Sequence, residues 1–259
     1  MEVRHYLRVF SAYVQLHMKT AMEYRTNFFM QSGFMLLNDV LWILIWYFLF
    51  STFGTVNGYD FSDALIIFGV YGFSYGIAAT FFGNRNALSE IIMEGRLDFY
   101  LTLPIDELFH ALIAKSSYDG VADILYAFMV VAVFAPHGLL IALIAGMVAA
   151  VVFISFMVLI ESLGFWIEHP KSTTKSMRNT IQGFGAWPLD VYPVTARAIL
   201  YIIPVAFVGT VPAHLVKSFS WGEFGLLMLV AALMLTLALS VWRIGVKRYE
   251  SGNLIATRT

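Results

Sequence analysis

The sequence predicts an all-α integral membrane protein of six transmembrane helices, and three observations carry the prediction. The 259 residues are 59% hydrophobic and 13% charged, about half the charge of an ordinary soluble domain, with a mean hydropathy of +0.75. A soluble globule of this length must still cover a water-facing surface and has no place for so many apolar side chains. The apolar residues gather in runs free of Asp, Glu, Lys and Arg, most of them near the roughly 20 residues of one helical crossing. Finally, the cations between those runs fall almost entirely on one side.

Taken in order, segment 1–25 reads as an interfacial helix. Val3, Leu7, Phe10, Val14 and Met18 recur at helical spacing, with Arg4, Arg8 and Lys19 on an adjacent stripe. Such a helix lies apolar face down with its cations toward lipid phosphates; the competing reading is a cytosolic extension of the first span. A signal peptide is excluded, because a short apolar core and a small-residue cleavage site are both missing. Runs 40–59 and 64–84 are the first two spans, split by Gly54-Thr55-Val56-Asn57-Gly58 and the acids Asp60 and Asp63. Run 124–160 would be roughly 55 Å long as one helix, too long for one crossing. Pro136-His137-Gly138 supplies a turn inside it, giving spans near 118–135 and 139–165. Runs 198–216 and 224–242 complete the six.

One region departs from this simple pattern. Residues 172–192 are too polar for a lipid-facing span, and Pro204 and Pro212 break the run that follows. Either 196–216 is the fifth span, or a polar helix near 173–190 crosses and 193–216 forms a re-entrant hairpin outside. The second arrangement is preferred, since irregular backbone at membrane depth needs protein or a wet cavity beside it.

Orientation follows from the cations. With the N-terminus inside, the inner segments hold Arg4, Arg8, Lys19 and Arg25, then Arg85, Arg96 and Lys115. Lys171, Lys175, Arg178 and Arg197 follow, and last Arg243, Lys247, Arg248 and Arg258. Only Lys217 falls outside, in keeping with the positive-inside rule; the re-entrant arrangement would add Arg197. Outer loops are tiny, about 54–62, 136–138 and 217–222, so a large extracellular domain is excluded.

Several function classes fall away on composition. The net charge of -1 argues against nucleic acid as a partner, which favours a basic surface. Without cysteine there is no disulfide, thiolate metal site or cysteine nucleophile. The six histidines are scattered and form no metal-ligand pair. Gly72-Phe73-Ser74-Tyr75-Gly76 matches the serine-hydrolase elbow, but that elbow needs a strand–turn–helix and here lies mid-span. With Gly69, Ala79 and Gly83 it fits a small-residue packing face instead. No catalytic residue is assigned, and the chain is read as no enzyme.

Acids within or near spans are functional candidates by default. Asp119 and Asp123 open the third helix, where they meet its N-terminal dipole. Asp39, beside Asn38, and Glu161 sit within a few turns of the inner face, each lining an inner vestibule or bonding structurally. Trp42 and Trp46 head an aromatic cluster that lines a path for flat or lipidic substrates or faces lipid.

The longest inner loop, 84–117, contains a short amphipathic helix at 87–95 stopped by Gly95. Apolar anchors ringed by charge suit a docked cytosolic partner, although a loop packed under the spans has the same spacing. The run that follows, Gly95-Arg96-Leu97-Asp98-Phe99-Tyr100-Leu101-Thr102-Leu103-Pro104-Ile105-Asp106, resembles the first cytoplasmic loop of bacterial ABC-2 type permeases. It is most similar to their viologen or multidrug exporter-like branch. Trp187-Pro188-Leu189-Asp190-Val191-Tyr192-Pro193, Ile203-Pro204-Val205-Ala206-Phe207-Val208 and Val211-Pro212-Ala213 resemble a second family series. Here the chain departs from that series at Trp187, where a Tyr is usual, and at Gly209-Thr210-Val211.

The resemblance implies a single ABC-2 transmembrane domain over 1–259, the membrane half of an ATP-driven exporter in the bacterial cytoplasmic (inner) membrane, with both termini cytoplasmic. It implies a second permease, identical or a sister chain, and membrane lipid around both. A separate ATP-binding cassette ATPase would dock through a coupling helix. That role carries over to Ala87, Leu88, Glu90, Ile91, Met93, Glu94 and Gly95, supported by Arg96 and Asp98. The substrate would be a hydrophobic or cationic compound or a lipid-linked molecule, with Asp39, Glu161, Trp42 and Trp46 along its path. Independently, the chain has no G-x-x-x-x-G-K-[ST] phosphate cradle, so ATP and Mg²⁺ would belong to the partner. The rivals are an ion-coupled secondary transporter, a membrane enzyme and a structural assembly subunit. Acids near the midplane would favour the first.

Overall fold

The computed structural model describes residues 2–250. Residue 1 of the interfacial segment and Arg258 of the inner-face cations lie outside the described residues, as does the end of the 1–259 domain. Among the described residues the chain is helical, with no strand.

Helix α1 (Glu2–Glu23) lies under the bundle, with Phe10 against Phe81 and Phe82 and Tyr6 edge-on to Phe109. Val3, Leu7 and Met18 remain exposed. The apolar stripe is thus shared between protein and surroundings, Phe10 belonging to the protein side.

Helix α2 (Arg25–Phe53) corrects the first expected span. Counting only charge-free residues started that span at residue 40, but the helix begins well before it. Asp39 is the middle residue of α2, not its inner end, and a carboxylate is tolerated there because it faces protein (it is 1% exposed). The following turn carries the positive φ angles of Gly54, Asn57 and Gly58, as its residue types predict.

Helix α3 (Phe61–Phe81) starts at a capping box in which Asp60 and Asp63 each accept the other's backbone N–H, satisfying two orphan donors. A 3-10 turn at 83–86 leads to α4 (Leu88–Met93), α5 (Leu97–Leu101) and α6 (Glu107–Ile113). Helix α7 (Asp119–Phe134) then returns along α3. Small residues set this contact. In chain order, Gly69 meets Val130, Gly72 meets Asp123, Gly76 meets Gly120 and, just past the end of α3, Gly83 meets Lys115. A Cβ at Gly76 would lie 2.6 Å from the Gly120 carbonyl oxygen, so the two backbones touch. Ser74, inside this helix, donates to the carbonyls of Val70 and Gly146, a structural role and not a nucleophile's.

A turn at 136–138 leads to α8 (Leu139–Glu161), which packs between α3 and α12 (Trp221–Val246). Between them lie α9 (Lys171–Gly185), α10 (Val194–Ile202) and α11 (Thr210–Lys217). The run 198–216 is therefore not one helix. Residues 203–209 interrupt it, where Pro204 lacks the N–H a helix needs and Gly209 presses on the Gly185 backbone beside Ile67 of α3. Among the described residues, four segments are long and apolar enough to cross a membrane: α2, α3, α8 with its flanking turns, and α12.

Candidate functional site

Between α2, α3, α7 and the end of α9 lies a cavity of about 290 Å³. Asp39 and Asp123 both line it, and they are 1% and 4% exposed. Neither oxygen of Asp39 has a hydrogen-bond partner, nor does Oδ2 of Asp123. A buried carboxylate without a partner is costly, which marks the pair as a candidate binding site. Trp42, Tyr71, Tyr75, Tyr126 and Trp187 supply ring faces and edges around the two acids. Carboxylates with aromatic faces are the chemistry that holds a cation. Just past the end of α3, the Arg85 guanidinium sits 4.9 Å from the Tyr75 ring centroid.

The predicted path residues divide. Asp39 and Trp42 line the cavity. Trp46 lies behind the wall, 2% exposed, its ring centroid 4.6 Å from that of Trp187. Glu161 is elsewhere. It is fully buried at the end of α8, where Oε2 accepts from the Ser89 N–H at 3.1 Å and the Ser89 hydroxyl at 2.5 Å. Its Oε1 pairs with Arg178 at 2.7 Å. Of the two readings open for Glu161, structural bonding is the one its geometry fits. Asp123 was read as a helix-start acid, yet it lies on the α7 face that carries Gly120 and Ala127 toward α3. That shared face was the signal available for it.

The loop expected on the inner face, 84–117, is folded, not extended. Leu88, Ile91, Ile92 and Leu97 join Val158 of α8 and Trp242 of α12 in one apolar cluster. Ile91 is fully buried, so it is core and not a surface anchor. Ala87, Gly95 and Asp98 are half-buried. Exposed at the same place are Met93, Glu94, Arg96 and Phe99, with Glu94 and Arg96 paired at 2.6 Å. Glu90 points away from that cluster and pairs with Lys171 of α9 at 2.7 Å; this bond holds its carboxyl below the usual range. Beside Met93, a cleft of about 400 Å³ is bordered by Trp166, Ile167, Glu168 and Arg248.

At the opposite end, four side-chain links tie the bundle together. Asp190 accepts from the Tyr59 hydroxyl and pairs with Arg197, each at 2.5 Å. Tyr59 also reaches His214 at 2.9 Å, and Lys217 pairs with Asp63.

Apolar helices long enough to span, wrapped around an acid-and-aromatic cavity, with a folded loop at one end, define a multi-pass membrane permease. The chain belongs to the ABC-2 transporter family: the family model described as ABC-2 family transporter protein matches residues 36–252. Members are membrane transport subunits and not themselves catalytic. No curated protein and no solved structure matches the chain significantly.

Proposed function

We propose that this chain is the membrane subunit of an ATP-driven exporter in the bacterial cytoplasmic membrane, moving a hydrophobic cation through the Asp39–Asp123 cavity. The observation that carries the substrate class is the pair of unpartnered buried carboxylates among ring faces. Of the hydrophobic, cationic and lipid-linked classes, a flat or greasy cation uses both features. Trp187, where the sequence leaves the family pattern, stands in that wall, so the preference is set partly by this chain. Asp39 lies deeper than the sequence suggested, which removes one argument against ion coupling; family membership supports ATP as the driving force.

A partner ATPase, carrying ATP and Mg²⁺, docks at the exposed face of the inner loop, around Met93, Arg96 and the cleft beside Trp166. A second permease, identical or a sister, pairs with this one in the lipid bilayer. Six crossings fit the contacts: α2, α3, α7, α8, α9 with the turn and 3-10 helix that follow it to 191, and α12. The α10–α11 hairpin re-enters from outside. Supporting this, Lys171 pairs with Glu90 of the inner loop, whereas Asp190 pairs near Tyr59 and Lys217 with Asp63 at the outer end of α3. Both chain termini are then cytoplasmic.

Solubilised gently from its native membrane, the chain is expected to bring down an ATPase subunit in stoichiometric amount, seen by mass spectrometry. Met93→Glu with Arg96→Glu is expected to cut that recovery at least about tenfold, the effect of losing roughly 1.4 kcal/mol at an interface. Ile91→Glu is a poor substitute, since it disrupts the core. A parent chain that purifies without an ATPase in the mildest detergents overturns the reading. Because the chain has no cysteine, topology is directly testable. Ser218→Cys is expected to react with an impermeant maleimide only from outside, and Lys175→Cys only from inside; the reverse pattern refutes the orientation.

A further inference from the structure

Helix α9 is held to the body by a narrow stripe. Among its residues only Thr174, Ile181 and Gly185 are buried, with Arg178 half-buried on the same face; most of the rest are exposed. Its attachments concentrate at two points. At the outer end Gly185 rests on Tyr71 of α3 so closely that a Cβ would lie 2.6 Å from the ring. Toward the inner end the bonds are ionic. Lys171 pairs with Glu90, while Arg178 donates both to the Asn86 carbonyl at 3.0 Å and to Glu161. Glu161 in turn grips Ser89 at the start of α4, and Gly164 lets the following turn close on Ser89. Between these points α9 supplies Gln182 and Gly183 to the cavity wall. Residues 178 and 182 are four apart, so the grip and the wall share one helical face.

We infer that α9 is a lever, gripped by the Glu161–Arg178 pair and pivoting at Gly185, which carries displacement of α4 to the cavity wall. Glu161 and Arg178 are then positioning residues that touch neither ATP nor substrate. The chemistry supports a role in geometry over one in stability. A fully buried carboxylate with its guanidinium contributes little beyond what apolar residues of the same size would, but it fixes one register between three elements. The inference rests on the proposed docking of an ATPase at α4.

The test uses the complex with its co-purified ATPase in lipid nanodiscs. A Cβ at Gly183 meets nothing within 4 Å, so Gly183→Cys places a single thiol in the wall. Its maleimide labelling rate is expected to change about fivefold or more when nucleotide is trapped with vanadate, the lower end of ordinary coupling between sites. With Arg178→Gln or Glu161→Gln added, the change is expected to vanish, while the ATPase still co-purifies and tetraphenylphosphonium still binds. The double variant, which replaces the pair by amides able to bond each other, is expected to behave like either single one. It decides the matter where a single variant does not assemble. Arg178→Lys, which keeps the charge, is expected to restore part of the response. Variants that assemble and keep the parental change in labelling overturn the lever. A parent that holds no ATPase overturns the docking on which the lever rests, and is seen before any variant is made.

Discussion

Replacing Asp39 by Asn is expected to weaken cation binding roughly 10- to 150-fold while leaving the protein as stable as before or more so. The side chain is 1% exposed with both oxygens unpartnered, so in the empty cavity its charge is a cost to folding. Asn keeps the shape and removes that cost, and relief of about 1–3 kcal/mol is in line with neutralising buried charge elsewhere. Binding moves the other way. A charge-assisted contact contributes about 1.5–3 kcal/mol, so its loss weakens affinity roughly 10- to 150-fold. Tetraphenylphosphonium titration by calorimetry and a thermal melt of the same sample read the two effects together. An Asn variant that binds the cation with parental affinity removes the cavity as the site. Asp123→Asn is expected to act in the same direction.

The second large effect concerns packing. Gly76→Leu is expected to abolish the folded bundle, seen as loss of the monodisperse peak in detergent. Any side chain there strikes the Gly120 carbonyl, and backbone cannot swing aside as a flexible side chain can. Overpacking commonly costs about 1–3 kcal/mol and more when backbone must move, and leucine far exceeds the methyl that already clashes. The glycines themselves provide the scale. Gly72→Ala adds a Cβ at 3.8 Å from its nearest neighbour, an ordinary contact, and a Cβ at Gly33, the start of a Gly33→Leu side chain, meets nothing within 4 Å. Both are expected to purify like the parent. Equal behaviour across this series would show that α3 and α7 do not pack through these residues.

Much of this architecture was legible because hydropathy and charge act locally. The turn at 54–58, the break at 136–138 and the stripe of small residues along α3 all fell where residue type alone placed them. What escaped was tertiary. Charge-free counting began the first span only after Asp39, because sequence does not display whether a carboxylate faces lipid or a neighbouring helix. Helical spacing marked Ile91 and Met93 alike as apolar on a short helix, but only packing against Val158 and Trp242 assigns one to the core and leaves the other outside. Glu161 drew attention as an intramembrane acid, and its true partner, Ser89, lies 72 residues away in the chain. Pro204 and Pro212 announced a broken segment; that it folds back on Gly185 is a consequence of contacts no local pattern carries.

The links of Asp190 with Tyr59 and Arg197, and of Lys217 with Asp63, bear on the energy economy of the cell. A membrane potential of 100 mV places about 2.3 kcal/mol on every charge that crosses. Acids open to both faces at mid-depth would offer protons a stepping stone down that gradient. In the proposed topology the hairpin is tied down above them, so the resting subunit is expected not to short-circuit the membrane it sits in. Loosening those ties would then be felt first as a proton leak, before any change in what the subunit carries.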